Sequence, residues 1–142
     1  MAEGTGVRPV LFRGDRTDRM FDYLPYDNTP SRWGGIRLKA TSTDNRLNHV
    51  DIHSASYGIA CGSSSTDAMK LRGENSVIHN VGGEGLGLYH CRASVGNTQI
   101  SNTLGHCVAV VDGRAAFVHC PLAQVYPWDA ERGDAVYLAN KW

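Results

Sequence analysis

Residues 75–80 read NSVIHN and residues 97–102 read NTQISN, so a near-copy of one short pattern returns further along the chain. Aligned on the central isoleucine, Ile52, Ile78, Ile100 and Leu122 form one column, at steps of 26, 22 and 22. Val50, Ser76, Thr98 and Cys120 stand two positions before these, and Ser54, Asn80, Asn102 and Gln124 two after. Leu47, Gly73, Val95 and Phe117 stand five before. A second, glycine-led set consists of WGGIRL (33–38), YGIAC (57–61), EGLGL (84–88), HCVAV (106–110) and DAVYL (134–138). It aligns on Ile36, Ile59, Leu86, Val108 and Val136, with Leu38, Cys61, Leu88, Val110 and Leu138 two further on. PVLF (9–12) reads as an earlier member of that set, with Val10 lying one repeat length before Ile36. A period of this length means stacked structural units. The i, i+2 spacing of the apolar residues is that of a strand, not a helix.

Two strands in each unit of roughly 20–30 residues exclude the helical repeats, and the Leu-x-x-Leu-x-Leu frame of a leucine-rich repeat is absent. The remaining architecture is all-β: a parallel β-helix, in which each unit is one coil and equivalent side chains pile up along the axis about 4.8 Å apart. Inward columns must then be apolar and alike in shape. Asn80 above Asn102 is expected to form an amide ladder. Gly35, Gly58 and Gly85 are expected at sharp turns before their strands. About five coils make a stub of roughly 25 Å. Residues 1–142 read as one such segment, with excursions from the coil at 13–33 and 125–134. The chain stops at AVYLANKW, inside what should be the next coil, and solenoid ends need caps, so a segment of a longer solenoid is expected.

Composition narrows the function classes. A chain of 142 residues with 42% hydrophobic and 20% charged residues is one globular domain. Lys plus Arg and Asp plus Glu both number 14, which argues against nucleic acid or an anionic membrane as partner. No stretch is apolar for long enough to span a bilayer, so no transmembrane segment is expected, and MAEGTGVRPV has no signal-peptide core. Cysteines 61, 91, 107 and 120 make no CxxC pair, which argues against a zinc knuckle or a thioredoxin-like site. Cys61 and Cys120 fall on inward columns as inert thiols, Cys107 replaces a turn glycine, and Cys91 is expected in an exposed loop. Their disulfide state and the compartment stay open.

The strand HVDIHS puts His49, Asp51 and His53 on one face, with Asn75 and His79 beside them in the next coil. Imidazoles with a carboxylate are zinc-type ligands. The coil below offers only Gln99 and Ser101, so a solvated polar face is expected, with no metal and no cofactor. Lyases and galacturonases of this architecture need clustered carboxylates. The outward positions of the glycine-led set are Arg37, Ala60, Gly87, Ala109 and Tyr137, then Lys39, Gly62, Tyr89, Val111 and Ala139, with no acid among them. No catalytic residue is therefore nominated. Asp15, Asp18, Asp22 and Asp27 interleave with Arg13, Arg16 and Arg19, which points to local ion pairing in the first excursion. Trp33, Tyr23, Tyr26, Tyr126 and Trp128 are loop or edge aromatics whose rings either stack on sugars or pack the loops down. These five, with His49, Asp51, His53 and His79, are the candidate ligand-binding residues.

The runs WGGI, Asn45-x-Leu47, YGI, NSVIHN, NTQISN and FVHC together resemble bacterial right-handed parallel β-helix repeat proteins of pectin-lyase-like architecture. They are most similar to the surface-directed lipoprotein-type members of Bacteroides-like bacteria, over nearly the whole chain. The resemblance implies a right-handed coil and secretion or an outer-membrane location. The expected function is a non-catalytic cell-surface or secreted module that binds polysaccharide through its loops. The alternatives are the non-catalytic portion of a polysaccharide lyase or glycoside hydrolase, and a structural stalk. Uncapped coils also imply end-to-end association.

Overall fold

The structure is a computed structural model and describes residues 1–63, 65–124 and 132–140. It is all-β: three parallel sheets of five strands each wind into a β-solenoid of about four turns. Five strands stacked in one sheet are separated by four turns of the chain. The first sheet stacks Ala2–Glu3, Asn45–Asn48, Met69–Glu74, Arg92–Gly96 and Arg114–Val118. The second stacks Val10–Phe12, Val50–His53, Val77–Val81, Gln99–Thr103 and Leu122–Ala123. The third stacks Ile36–Leu38, Ile59–Gly62, Leu86–Tyr89, Val108–Val111 and Val136–Ala139.

The columns of the text are columns in space. Ile52, Ile78, Ile100 and Leu122 pair in register in the second sheet. Ile36, Ile59, Leu86, Val108 and Val136 do so in the third. Ile52, Leu86, Leu88, Val108 and Ile100 are fully buried, and their side chains fill the solenoid interior. Two corrections apply. Each coil has three strands, not two, because Leu47, Gly73, Val95 and Phe117 belong to a separate sheet. Val10 pairs with Val50 and Phe12 with Ile52, so PVLF belongs to the second sheet and not to the glycine-led set. Its distance from Ile36 along the chain counts the excursion, not a turn of the coil.

The corners explain the polar positions. His49, Asn75, Asn97 and His119 turn the chain from first to second sheet with φ between 45° and 53°. Ser54, Asn80 and Asn102 turn it from second to third with φ between 52° and 61°. Asparagine tolerates this left-handed backbone better than most side chains, which is why NSVIHN and NTQISN begin and end with it. The residue after the first corner clamps it: the hydroxyls of Ser76 and Thr98 donate to the carbonyls of Glu74 at 2.7 Å and Gly96 at 2.9 Å. The Cys120 thiol takes the same role toward Val118 at 3.4 Å.

An amide ladder exists, but it is displaced from the expected corner. Asn75 Nδ2 donates to Asn48 Oδ1 at 3.0 Å, and Asn97 Nδ2 donates to Asn75 Oδ1 at 2.8 Å. Asn80 Oδ1 is instead buried without a hydrogen-bond partner among the described residues. Asn75 combines a left-handed φ of 52° with amide bonds to both neighbours. Asn75→Ala is therefore expected to cost about 1–2 kcal/mol, read as a lower urea midpoint at unchanged m-value.

The glycine expectation also changes. Among the glycines only Gly35 has a left-handed φ, at 101°. Gly58 and Gly85 are required by close approach: a Cβ on Gly58 would lie 2.1 Å from the Gly85 carbonyl oxygen, and one on Gly85 would lie 2.3 Å from Ile100 Cγ2. Cys91, expected in an exposed loop, is fully buried. The left-handed residue at that corner is His90, with φ 52°, and the Cys91 thiol points inward toward the Cys61 carbonyl at 3.9 Å.

Candidate functional site

Functional side chains gather in two places on the solenoid: a polar cluster on the second sheet, and a groove along the third. The cluster begins with period-2 alternation. In Val50–His53 the side chains of Val50 and Ile52 point inward, so Asp51 and His53 point out. His79 stands beside His53 in register, and their rings stack with centroids 4.8 Å apart and planes 25° apart. His53 Nδ1 and His79 Nε2 both face the same oxygen, Asp51 Oδ1, at 2.8 and 3.1 Å.

The excursion between Phe12 and Ile36 completes the cluster. It holds an antiparallel hairpin of Arg19–Phe21 with Leu24–Pro25, followed by a 3-10 turn, Tyr26–Asn28. Backbone bonds from Ser31 to Ala55 at 3.0 Å and from Arg32 to Ser54 at 2.7 Å pin its end to the corner after His53. The Ser54 hydroxyl donates to the Asp27 carbonyl. Asp27 Oδ2 thereby reaches His53 Nε2 at 3.1 Å and also accepts Arg13 Nη1 at 3.0 Å. His53 is buried, while Asp27, Asp51 and His79 are each partly open to solvent.

Both ring nitrogens of His53 thus face carboxylates. The hydrogen bond to Asp51 raises its pKa above the ordinary 6.5, against burial, and Asp27 adds to the rise. Burial would raise the Asp51 carboxyl, but hydrogen bonds from His53 and His79 outweigh it and hold the group well below the usual carboxylate range. The arrangement can hold protons, or a cation in their place, between one carboxylate oxygen and two imidazoles.

The other candidate residues are dispersed. His49 sits on a left-handed corner, in a shallow cleft with Asn75, Asn97 and Gln99, outside the cluster. Trp33 packs against the core, and its indole N–H donates to the His53 carbonyl at 2.8 Å. The Tyr26 ring is capped by the Arg16 guanidinium at 3.6 Å from its centroid, with Arg32 at 5.1 Å. Tyr23 is 82% exposed and stacks on Phe21 at 5.7 Å. Tyr126 and Trp128 lie outside the described residues. Arg16 also pairs with Asp18, the local ion pairing of the excursion.

The groove crosses three coils of the third sheet and encloses about 810 Å³. Its floor is Ala60 and Gly62, its rings are Tyr57, Tyr89 and His90, and its charges are Arg37 and Lys39, with no carboxylate in the lining among the described residues. Each ring lies along a glycine. A Cβ on Gly87 would come 2.9 Å from the Tyr89 ring, and one on Gly35 would come 2.9 Å from that of Tyr57. Tyr89 is 41% exposed, so its outer face is open to a ligand. Among the described residues no helix is long and apolar enough to cross a membrane.

Sequence reasoning missed Asp27 as the partner of His53, because nothing periodic links a loop carboxylate to a strand imidazole. It placed Arg37, Lys39 and Tyr89 outward but did not join them to Tyr57. Comparison of the chain with protein-family models, with curated proteins and with solved structures finds no match, so function is read from these side chains.

Proposed function

We propose that this chain is a non-catalytic polysaccharide-binding module that works at the cell surface or outside the cell and holds an acidic glycan in the third-sheet groove. A right-handed coil and kinship with the surface lipoprotein-type β-helix members belong to the same reading. The observation that carries it is the groove's lining among the described residues: two tyrosine rings packed against glycines, a small-residue floor, and two cations without a carboxylate. Flat apolar ring faces suit the faces of sugar rings, and the cations favour uronate or sulfate substituents.

Affinity electrophoresis through gels containing acidic or neutral polysaccharides tests this. Retardation by an acidic polymer is expected. Tyr89→Ala and Arg37→Ala should each weaken it about tenfold, roughly 1.4 kcal/mol, while leaving the circular dichroism unchanged. No retardation by any acidic polymer defeats the reading, and shortening of the polymer during incubation replaces it with the enzymatic one.

A further inference from the structure

We propose that Asp51, His53 and His79 form a binding site for a single borderline divalent transition ion of the zinc type, with Asp27 as its positioning residue. Each of the three offers one donor atom, and these atoms lie within 4.8 Å of one another; Asp51 Oδ1 faces both His53 Nδ1 and His79 Nε2. A tetrahedral ion with ligand bonds of about 2.0–2.1 Å separates its ligands by roughly 3.3 Å. Two of the three edges here, 2.8 and 3.1 Å, are within a few tenths of that value. A shift of the carboxylate away from the two rings makes room for an ion between the three groups.

The ligands come from rigid neighbouring strands in register, which sets their spacing by the coil repeat and not by loop geometry. The decisive feature is beyond the three ligands. A metal-bound imidazole characteristically donates its other ring N–H to a carboxylate, which fixes its tautomer and raises its basicity. His53 Nε2 meets Asp27 Oδ2 at 3.1 Å, and Arg13 at 3.0 Å holds that carboxylate in place. With the ion on Nδ1, His53 needs one proton, on Nε2, where Asp27 receives it.

Two imidazole donors select a zinc-type ion over calcium or magnesium, whose sites are built from oxygens. Asp51 and His79 are partly exposed, which gives the ion a path in and leaves a coordination position open to water. The site is on the second sheet, and its test is independent of glycan binding in the third-sheet groove.

The test uses the full chain without an affinity tag, stripped with a chelator and dialysed. Titration calorimetry with zinc should show one equivalent bound, and zinc should raise Tm. The cobalt(II) adduct should show visible d–d absorption of low coordination number without the near-ultraviolet band of a thiolate ligand. His79→Gln, at a partly exposed position, should keep the chelated protein's Tm and lose at least about tenfold in zinc affinity. Asp51→Asn should lose more, and Asp27→Asn about tenfold, with the stoichiometry kept. His49→Gln, outside the cluster, should bind as the parent does. Absence of a one-equivalent site, wild-type affinity in His79→Gln, or a thiolate-to-cobalt band would overturn the proposal.

Discussion

Gly58→Ala is expected to destabilise the protein by at least about 3 kcal/mol. The added Cβ would meet the Gly85 carbonyl oxygen at 2.1 Å and Ile78 Cγ2 at 2.6 Å. The first of these is backbone and cannot rotate away. Moving it breaks the ladder, because the Ile59 amide donates to that same Gly85 carbonyl at 2.9 Å and the Gly58 amide donates to Glu84 at 3.0 Å. The strain is steric and not conformational, since Gly58 does not have the left-handed φ found at Gly35. Gly34→Ala is the matched control: its Cβ would meet nothing within 4 Å, and its cost should stay within about 0.5 kcal/mol. Urea unfolding of both variants decides the matter. A Gly58→Ala midpoint equal to that of Gly34→Ala would mean that the third sheet can spread its coils, contrary to the packing described above.

What could be read from the text follows from what a solenoid repeats. Inward positions see the same neighbours in every coil, so Ile52, Ile78 and Ile100, or Ile59, Leu86 and Val108, are forced to resemble one another and are visible as columns. The first sheet hides because its inward column runs Leu47, Gly73, Val95 and Phe117, which share neither size nor shape, and because the bulge at Lys70 shifts the register between Met69 and Leu71. Corner chemistry was legible in kind but not in place: asparagines mark both corners, and only bond geometry distinguishes the ladder of Asn48, Asn75 and Asn97 from the buried Asn80. The polar cluster was half legible. Period 2 put Asp51 and His53 on one face, and the step from Ile52 to Ile78 put His79 beside them. Asp27 arrives from an excursion whose path is set by bonds to Ser54 and Ala55, and no periodicity encodes that.

Lys70 shows the same limit inside the core, and Lys70→Met is expected to cost about 2–4 kcal/mol. A lysine between Met69 and Leu71 reads as an outward strand residue. The register shows otherwise: Arg92 pairs with Met69 and Ala93 with Leu71, so Lys70 is the extra residue of a bulge and turns inward, 1% exposed. Its ammonium donates to the carbonyls of Lys39 and Ser42 and reaches the Ser42 hydroxyl at 3.2 Å. Replacing a buried ion pair by apolar groups is often neutral, because both partners leave together. Here the acceptors are backbone carbonyls that no side-chain substitution removes, so methionine takes the ammonium from the Ser42 carbonyl and leaves the Lys39 carbonyl only the Ser42 amide and hydroxyl. The loss should be local first. The turn amides of Ser42, bonded to Lys39 at 3.0 Å, and of Asp44, bonded to Met69 at 2.9 Å, should exchange faster with solvent, while that of Ile100 in the second sheet keeps its protection. Lys39→Met removes an exposed side chain but keeps the Lys39 carbonyl, so it should change stability by less than about 0.5 kcal/mol. Equal stability of the two variants would show that the 39–42 turn finds water for its carbonyls and that the buried ammonium adds nothing to the fold.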